Sequence, residues 1–225
     1  MEKLCFEGKA VALIASGTPG APLIVVNGED GEGEGEALCA AVQAATGAAF
    51  SLAAVGGLDW DDDLTPWEAP GVFKGQHFGG HAGAWLGTLT GEALPAILGK
   101  LPERPAWVGL AGYSLAGLFA AWATYQTDAF DRIACVSGSV WFPGFIDYAA
   151  ANAPARVPER AYLSVGDKEA RARNPAMRTV EDATRRMAAL YEAVGAATRF
   201  ELNPGGHFND PLGRLTKGIA WLMEE

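Results

Sequence analysis

Cysteine is scarce: Cys5, Cys39 and Cys135 are the three in 225 residues. Odd in number and far apart, they do not form a disulfide frame and read as buried free thiols of a reducing compartment. Positive charge is also short, with 17 Lys and Arg against 27 Asp and Glu, a formal net charge of −10. That balance excludes partners that need a basic patch, nucleic acid and anionic membrane surfaces among them. No apolar run approaches the roughly 18 residues of a membrane span. The stretch Ala10–Ala15 is too brief for a signal core, follows Glu2 and Glu7, and reads better as a first strand, so a cytoplasmic protein is the expectation. There is no internal repeat and no linker long enough to divide the chain, and 49% hydrophobic residues suffice for one core. A single domain over residues 1–225 is expected.

Histidine is equally rare, at three residues. His77 and His81 stand four apart, but Gly79 and Gly80 work against a rigid helix between them. No clear carboxylate partner and no Glu beside the first His complete a zinc motif, so no metal is expected. Asp61-Asp62-Asp63 lacks the alternating spacing and distal glutamate of a calcium loop and reads as an exposed acidic turn. The glycine-rich stretch Gly28–Gly35 carries four acids and no lysine; it reads as a solvated loop capping a helix, not as a phosphate cradle. No cofactor is expected.

What the chain does have is an alternation of strand and helix patterns, which predicts a mainly parallel sheet with helices on both faces. Strands are expected at Lys9–Ala15, Pro22–Val26, Ser51–Val55, Ala106–Leu110, Ile133–Ser137, Ala161–Val165 and Thr198–Leu202. Helices are expected near 36–47, 82–99, 115–126, 144–152, 175–194 and 211–223. Asn174 with Pro175, and Asp210 with Pro211, are the expected starts of the last two, and Gly195 the stop of the first of that pair.

The most informative segment runs from Trp107 to Leu118, W-V-G-L-A-G-Y-S-L-A-G-L. An apolar run ends at a small-residue turn with a serine at its tip, and an alanine-rich helical pattern follows at once. That is the layout of a nucleophile elbow, in which a tight strand-to-helix turn lifts a hydroxyl out of the sheet. The motif G-x-S-x-G is shifted here, with Ala116 in the fifth place and Gly117 after it. Two further strand patterns end in candidate partners. Ala161–Val165 runs into Gly166-Asp167-Lys168-Glu169, and Thr198–Leu202 into Asn203-Pro204-Gly205-Gly206-His207-Phe208. Serine, acid and histidine thus follow the chain order of an α/β-hydrolase triad. Ser114 is the candidate nucleophile. It needs an adjacent base, and His207 can both take its proton and return it to a leaving alcohol.

The combination of G-Y-S-L-A-G, L-S-V-G-D-K-E followed by R-N-P-A-M, and N-P-G-G-H-F before a final helix resembles the α/β-hydrolase branch that includes esterase D, feruloyl esterases and siderophore (enterochelin-type) esterases. The resemblance runs from about residue 10 to the C-terminus. It implies an α/β-hydrolase fold and a serine carboxylic-ester hydrolase acting through an acyl-enzyme on a small-molecule ester. Acyl transfer on the same scaffold and a non-catalytic binding module are the alternatives. For the acid, related hydrolases imply the fourth place of G-x-x-D/E, which is Glu169. Asp167 also qualifies, and some siderophore esterases resemble a Ser–His dyad with no acid. The oxyanion hole implied by the family is built from backbone N–H groups, of Leu115 after the nucleophile and of Leu58 or its neighbour.

Trp60, Trp67 and Phe78 on one side, and Trp141 with Phe142 on the other, fall in loops at the same sheet edge. Trp60, Trp67 and Trp141 are the candidate pocket aromatics. Only about two dozen residues separate Ser137 from Ala161, enough for one helix and its loops. No lid domain is therefore expected. The oligomeric state is not legible.

Overall fold

The computed structural model of the protein describes residues 1–28 and 33–224. Among them an eight-stranded sheet runs in the order β1-β2-β4-β3-β7-β8-β9-β10. The members are β1 (Glu2–Phe6), β2 (Lys9–Ile14), β3 (Leu23–Asn27), β4 (Ser51–Gly56), β7 (Val108–Tyr113), β8 (Arg132–Val136), β9 (Arg160–Gly166) and β10 (Ala197–Asn203). From β4 through β10 every pairing is parallel, and β1 and β2 are antiparallel additions at one edge. Each expected strand is present within two residues at its start and three at its end. β1 was not expected. Its short, largely exposed E-K-L-C-F pattern offers little burial, and a two-residue turn at Glu7-Gly8, both at positive φ, folds it onto β2.

Helices cover both faces. α1 (Gly33–Thr46) and α7 (Pro211–Leu222) pack on one side; α2 (Ala82–Thr88), α3 (Leu94–Leu98), α4 (Leu115–Ala123), α5 (Phe145–Ala151) and α6 (Val180–Ala193) pack on the other. The strands alternate between the two cores. Leu23 and Val25 of β3 face one, and Ile24 and Val26 the other. α4 is buried on every side, which is why its sequence is apolar all round. A π-helical turn, Leu89–Ala93, joins α2 to α3 just before Pro95. Proline has no N–H to donate to the preceding turn, and the widened turn accommodates that loss.

Of the two expected helix starts, Asp210 holds and Asn174 does not. Asp210 caps α7 by accepting from the Gly213 N–H at 3.1 Å. Asn174 does not start α6. Its Oδ1 accepts from Ala176 and its Nδ2 donates to the Val72 carbonyl at 2.9 Å, and α6 begins only at Val180. A side chain that ties two loops together has overridden a local capping signal. Gly195, at φ 95°, follows the end of α6 as expected.

The glycine-rich stretch Gly28–Gly35 falls partly outside the described residues. Its last three glycine-spaced positions open α1, and Gly35 lies so close to β4 that an added Cβ would meet Ala54 Cβ at 2.6 Å. β8 and β9 are joined through α5 alone, with no inserted helical subdomain. The segment between β4 and β7 is longer; it carries the small β5–β6 ribbon (Ala69–Pro70 and His77–Phe78) as well as α2 and α3. No helix among the described residues is long and apolar enough to cross a membrane.

Candidate active site

Because β3, β4, β7, β8, β9 and β10 are parallel, their C-terminal ends share one edge, where open α/β sheets place their sites. Ser114 follows β7 directly, with φ 58° and ψ −122°. A non-glycine residue in that conformation is strained, and the surrounding turn must hold it. Its close packing leaves no room at Gly112, where an added Cβ would lie 2.4 Å from the Ala116 backbone. Gly117 likewise approaches Gly138 Cα within 3.0 Å of a would-be Cβ. The shifted glycine of the motif is thus needed for packing α4 on the strand β8 turn, while alanine fits at 116.

The turns after β9 and β10 lie side by side because Asn203 pairs with Gly166. Asp167 N–H donates to the Asn203 carbonyl at 2.8 Å and Lys168 N–H to the Gly205 carbonyl at 3.0 Å. The Asp167 side chain closes the same seam by accepting from Gly205 N–H at 2.8 Å. Glu169 has the other destination. Its Oε2 stands 2.7 Å from His207 Nδ1, and His207 Nε2 stands 3.0 Å from Ser114 Oγ. Of the two acidic candidates, the structure brings Glu169 to the imidazole and turns Asp167 into a backbone fastener. Ser139, buried beside the elbow, lies with its Oγ 3.4 Å from that of Ser114.

Electrostatics at the acid are set by competing effects. Burial alone would raise the Glu169 carboxyl. Hydrogen bonds and charge from His207, the Gly166 N–H and the Ser137 hydroxyl outweigh it and hold the group below its ordinary value. Burial pushes the Tyr113 phenol up, against the pull of Ser137 and Arg214, so the phenol stays protonated and donates to the His207 carbonyl.

One residue at this centre went unnoticed in the sequence. Arg214, in the first turn of α7, is 2% exposed and donates to Glu169 Oε1 at 2.9 Å. A cation in the first turn of a helix opposes the helix dipole, and that local conflict was the available signal. Arg214 shares the buried face of α7 with apolar neighbours. Arg214, Gly218, Ile219, Trp221 and Leu222 are buried, while Leu212 and Leu215 line the cavity.

That cavity, about 910 Å³, opens at Ser114 and His207 and is predominantly apolar. Trp60 and Trp141 line it, together with Phe78, Phe73 and the 88% exposed Phe208. Trp67 does not. Its ring packs against Phe142 and Tyr148 and its Nε1 donates to the Pro143 carbonyl at 3.0 Å, which fastens the β4–β7 segment to the loop before α5. Trp141→Ala and Trp60→Ala are therefore expected to raise KM for an aryl ester roughly fivefold each, an aromatic contact being worth about 1 kcal/mol. Trp67→Ala should leave KM unchanged and lower stability by about 3 kcal/mol. Steady-state kinetics and denaturant unfolding of the three variants check this.

As the first residue of α4, Leu115 has an N–H with no intrahelical acceptor, and it lines the cavity beside Ser114. Leu58 is corrected. It follows β4, packs against the core and is not part of the cavity wall. The strand next to β7 is β3, not β4, because the chain crosses over between them. Gly28, which follows β3, lines the cavity and donates its N–H to the Val55 carbonyl at 2.8 Å; residues 29–32 lie outside those described.

The acidic turn is also not simply exposed. Asp63 is buried against Lys9 at 2.9 Å, Asp62 holds His81 at 2.6 Å, and Asp61 accepts from Gln76 at 2.8 Å. His77 faces Glu68 at 3.3 Å, away from His81's partner. Among the described residues no three metal-binding side chains are grouped. Of the thiols, Cys135 is buried and pushed up to about 12, Cys39 is half-buried and Cys5 is exposed, so only one matches the expected burial.

No protein-family model matches the chain, and no curated protein does. Among solved structures it is similar to the siderophore hydrolase EstB from Aspergillus nidulans, with TM-score 0.72, 20% identity and coverage of 99% of this chain and 93% of that one. It is similar too to an IroE-like serine hydrolase from Shewanella oneidensis, with TM-score 0.78, 16% identity and coverage of 95% and 75%. A third is the enterochelin esterase from Shigella flexneri, with TM-score 0.73, 16% identity and coverage of 99% and 58%. With the sheet order and elbow described above, these likenesses establish an α/β-hydrolase fold.

Proposed function

We propose that the protein is a serine carboxylic-ester hydrolase. One observation carries this reading: a strained serine, an imidazole and a carboxylate hydrogen-bonded in series, at 3.0 and 2.7 Å, at the mouth of an apolar cavity. In this reading the Glu169 carboxylate accepts a hydrogen bond from His207 Nδ1–H, which leaves the Nε2 lone pair free to take the proton of Ser114 as its Oγ attacks the ester carbonyl. The oxyanion meets the Leu115 N–H at the positive end of α4. The imidazolium then protonates the leaving alcohol, and water attacks the acyl-enzyme by the reverse sequence. The similar structures named for siderophore hydrolysis and enterochelin esterase activity support ester chemistry on this scaffold.

The cavity favours soluble esters with a bulky or aromatic group, held between Trp60, Trp141 and Phe78. A fluorophosphonate probe should label Ser114, and a panel of short-chain, aromatic, sugar and siderophore-type esters should show turnover concentrated in the aromatic-bearing members. Absence of both labelling and turnover would favour a binding module. Ester product formed with an added alcohol, in place of free acid, would favour acyl transfer.

A further inference from the structure

Arg214 uses its guanidinium in five contacts at once. Nη1 donates to Glu169 Oε1 at 2.9 Å, to Ser137 Oγ at 2.9 Å and to the Tyr113 hydroxyl at 3.3 Å. Nη2 donates to the carbonyls of Pro204 at 2.9 Å and Gly206 at 3.0 Å. These partners come from the elbow, the end of β8, the acid-bearing turn and the histidine-bearing turn. The Glu169 carboxylate is then divided: Oε1 takes Arg214 and the Gly166 N–H, and Oε2 is left for His207. Tyr113, held by Arg214, reaches the His207 carbonyl from the other side.

We propose that Arg214 is a positioning residue for the relay: it fixes the rotamer of Glu169 and the backbone of the His207 turn with one planar group, so that only Oε2 faces the imidazole. This rests on reading Ser114, His207 and Glu169 as the catalytic relay. A buried ion pair is weak evidence for stability, since desolvation offsets most of its Coulomb gain, but truncating one partner strands the other. Lysine offers a point charge without the fork and does not span both carbonyls and the carboxylate.

The groups facing Glu169 are few. Arg214 from α7, His207 from the turn after β10, Ser137 from the end of β8 and the Tyr113 phenol surround it, and Lys168 and Arg171 flank it in sequence. Without Arg214 its nearest fixed cation is gone, and burial favours the protonated acid. A protonated carboxyl donates to Nδ1 and leaves the ring proton on Nε2, where it blocks proton transfer from Ser114. Activity should then return as pH rises through the raised value.

The test compares Arg214→Met, Arg214→Lys, Glu169→Gln and the Glu169→Gln/Arg214→Met pair by kcat and KM for one soluble ester between about pH 5 and about pH 9. Arg214→Met should lose kcat roughly 10²- to 10³-fold with KM within about twofold, less than the ~10⁴ of a lost triad acid. Its acid limb should move to higher pH. Arg214→Lys should keep the acid limb in place, the charge being retained, and lose kcat about tenfold for want of the fork. In the Glu169→Gln background, Arg214→Met should add no more than about threefold. A pH-independent loss, equal damage from Lys and Met, or a double variant losing the product of the singles would each overturn the proposal. Should Arg214→Met not fold, Arg214→Lys and the double variant decide by the same criteria. If Ser114→Ala stays active, the relay reading itself fails; if it is dead and the Arg214 profiles are unshifted, only this proposal does.

Discussion

Replacing Ser114 by alanine is expected to abolish ester hydrolysis, with a loss in kcat on the order of a millionfold, as losing the nucleophile does in serine hydrolases. The fold should survive. Alanine meets the same positive-φ strain as serine at φ 58° and gives up only the part-buried hydroxyl's contacts, to His207 Nε2 at 3.0 Å and to Ser139 at 3.4 Å, so stability should stay within about 1 kcal/mol. Fluorophosphonate labelling should vanish in parallel. A folded variant that kept more than a few per cent of the rate, free of contaminating esterase, would remove Ser114 from the mechanism.

The second large effect concerns the acid. Glu169→Gln should lower kcat roughly 10⁴-fold, since glutamine no longer stabilises the imidazolium or fixes the tautomer. Asp167→Asn should cost less than about tenfold, because its side chain serves the Gly205 N–H, a bond the asparagine oxygen can still accept. The reverse ranking would move the role to Asp167, and two mild effects would favour a dyad. Stability adds a pH signature. The Glu169 carboxyl is lowered in the folded protein, so its contribution is present above the unfolded value of about 4.3 and is lost as pH falls through the lower folded value. Wild type should therefore lose its stability advantage over Glu169→Gln below about pH 4.3. A gap that stays constant on acidification would contradict a lowered Glu169 carboxyl.

Much of this was written locally. The elbow was legible at Gly112, Ser114 and Gly117 because a tight strand-to-helix turn restricts side-chain size at fixed spacing, and such restrictions show in the sequence without knowledge of the fold. The strands were legible because their apolar runs end at glycine, proline and acidic turns. Asp210 was legible as a cap because capping acts over three residues.

What depended on distant partners was not. Leu58 lies away from the cavity wall because the order of strands in the sheet puts β3, not β4, beside β7, and no local pattern encodes that crossover. Trp60, Trp67 and Trp141 looked alike in the sequence; only the packing of Trp67 on Phe142 and Tyr148 separates it from the cavity wall. Glu169 and Asp167 sit two apart on one turn, and their different destinations arise where the β9 and β10 turns pack side by side. Arg214 is the clearest case. Its five partners are spread over four segments, from Tyr113 to Gly206, and they converge on one guanidinium only when the sheet is assembled. The sequence determined the kinds of groups and the turns that carry them, and tertiary packing decided which of those groups meet, because a hydrogen bond reaches only about 3 Å.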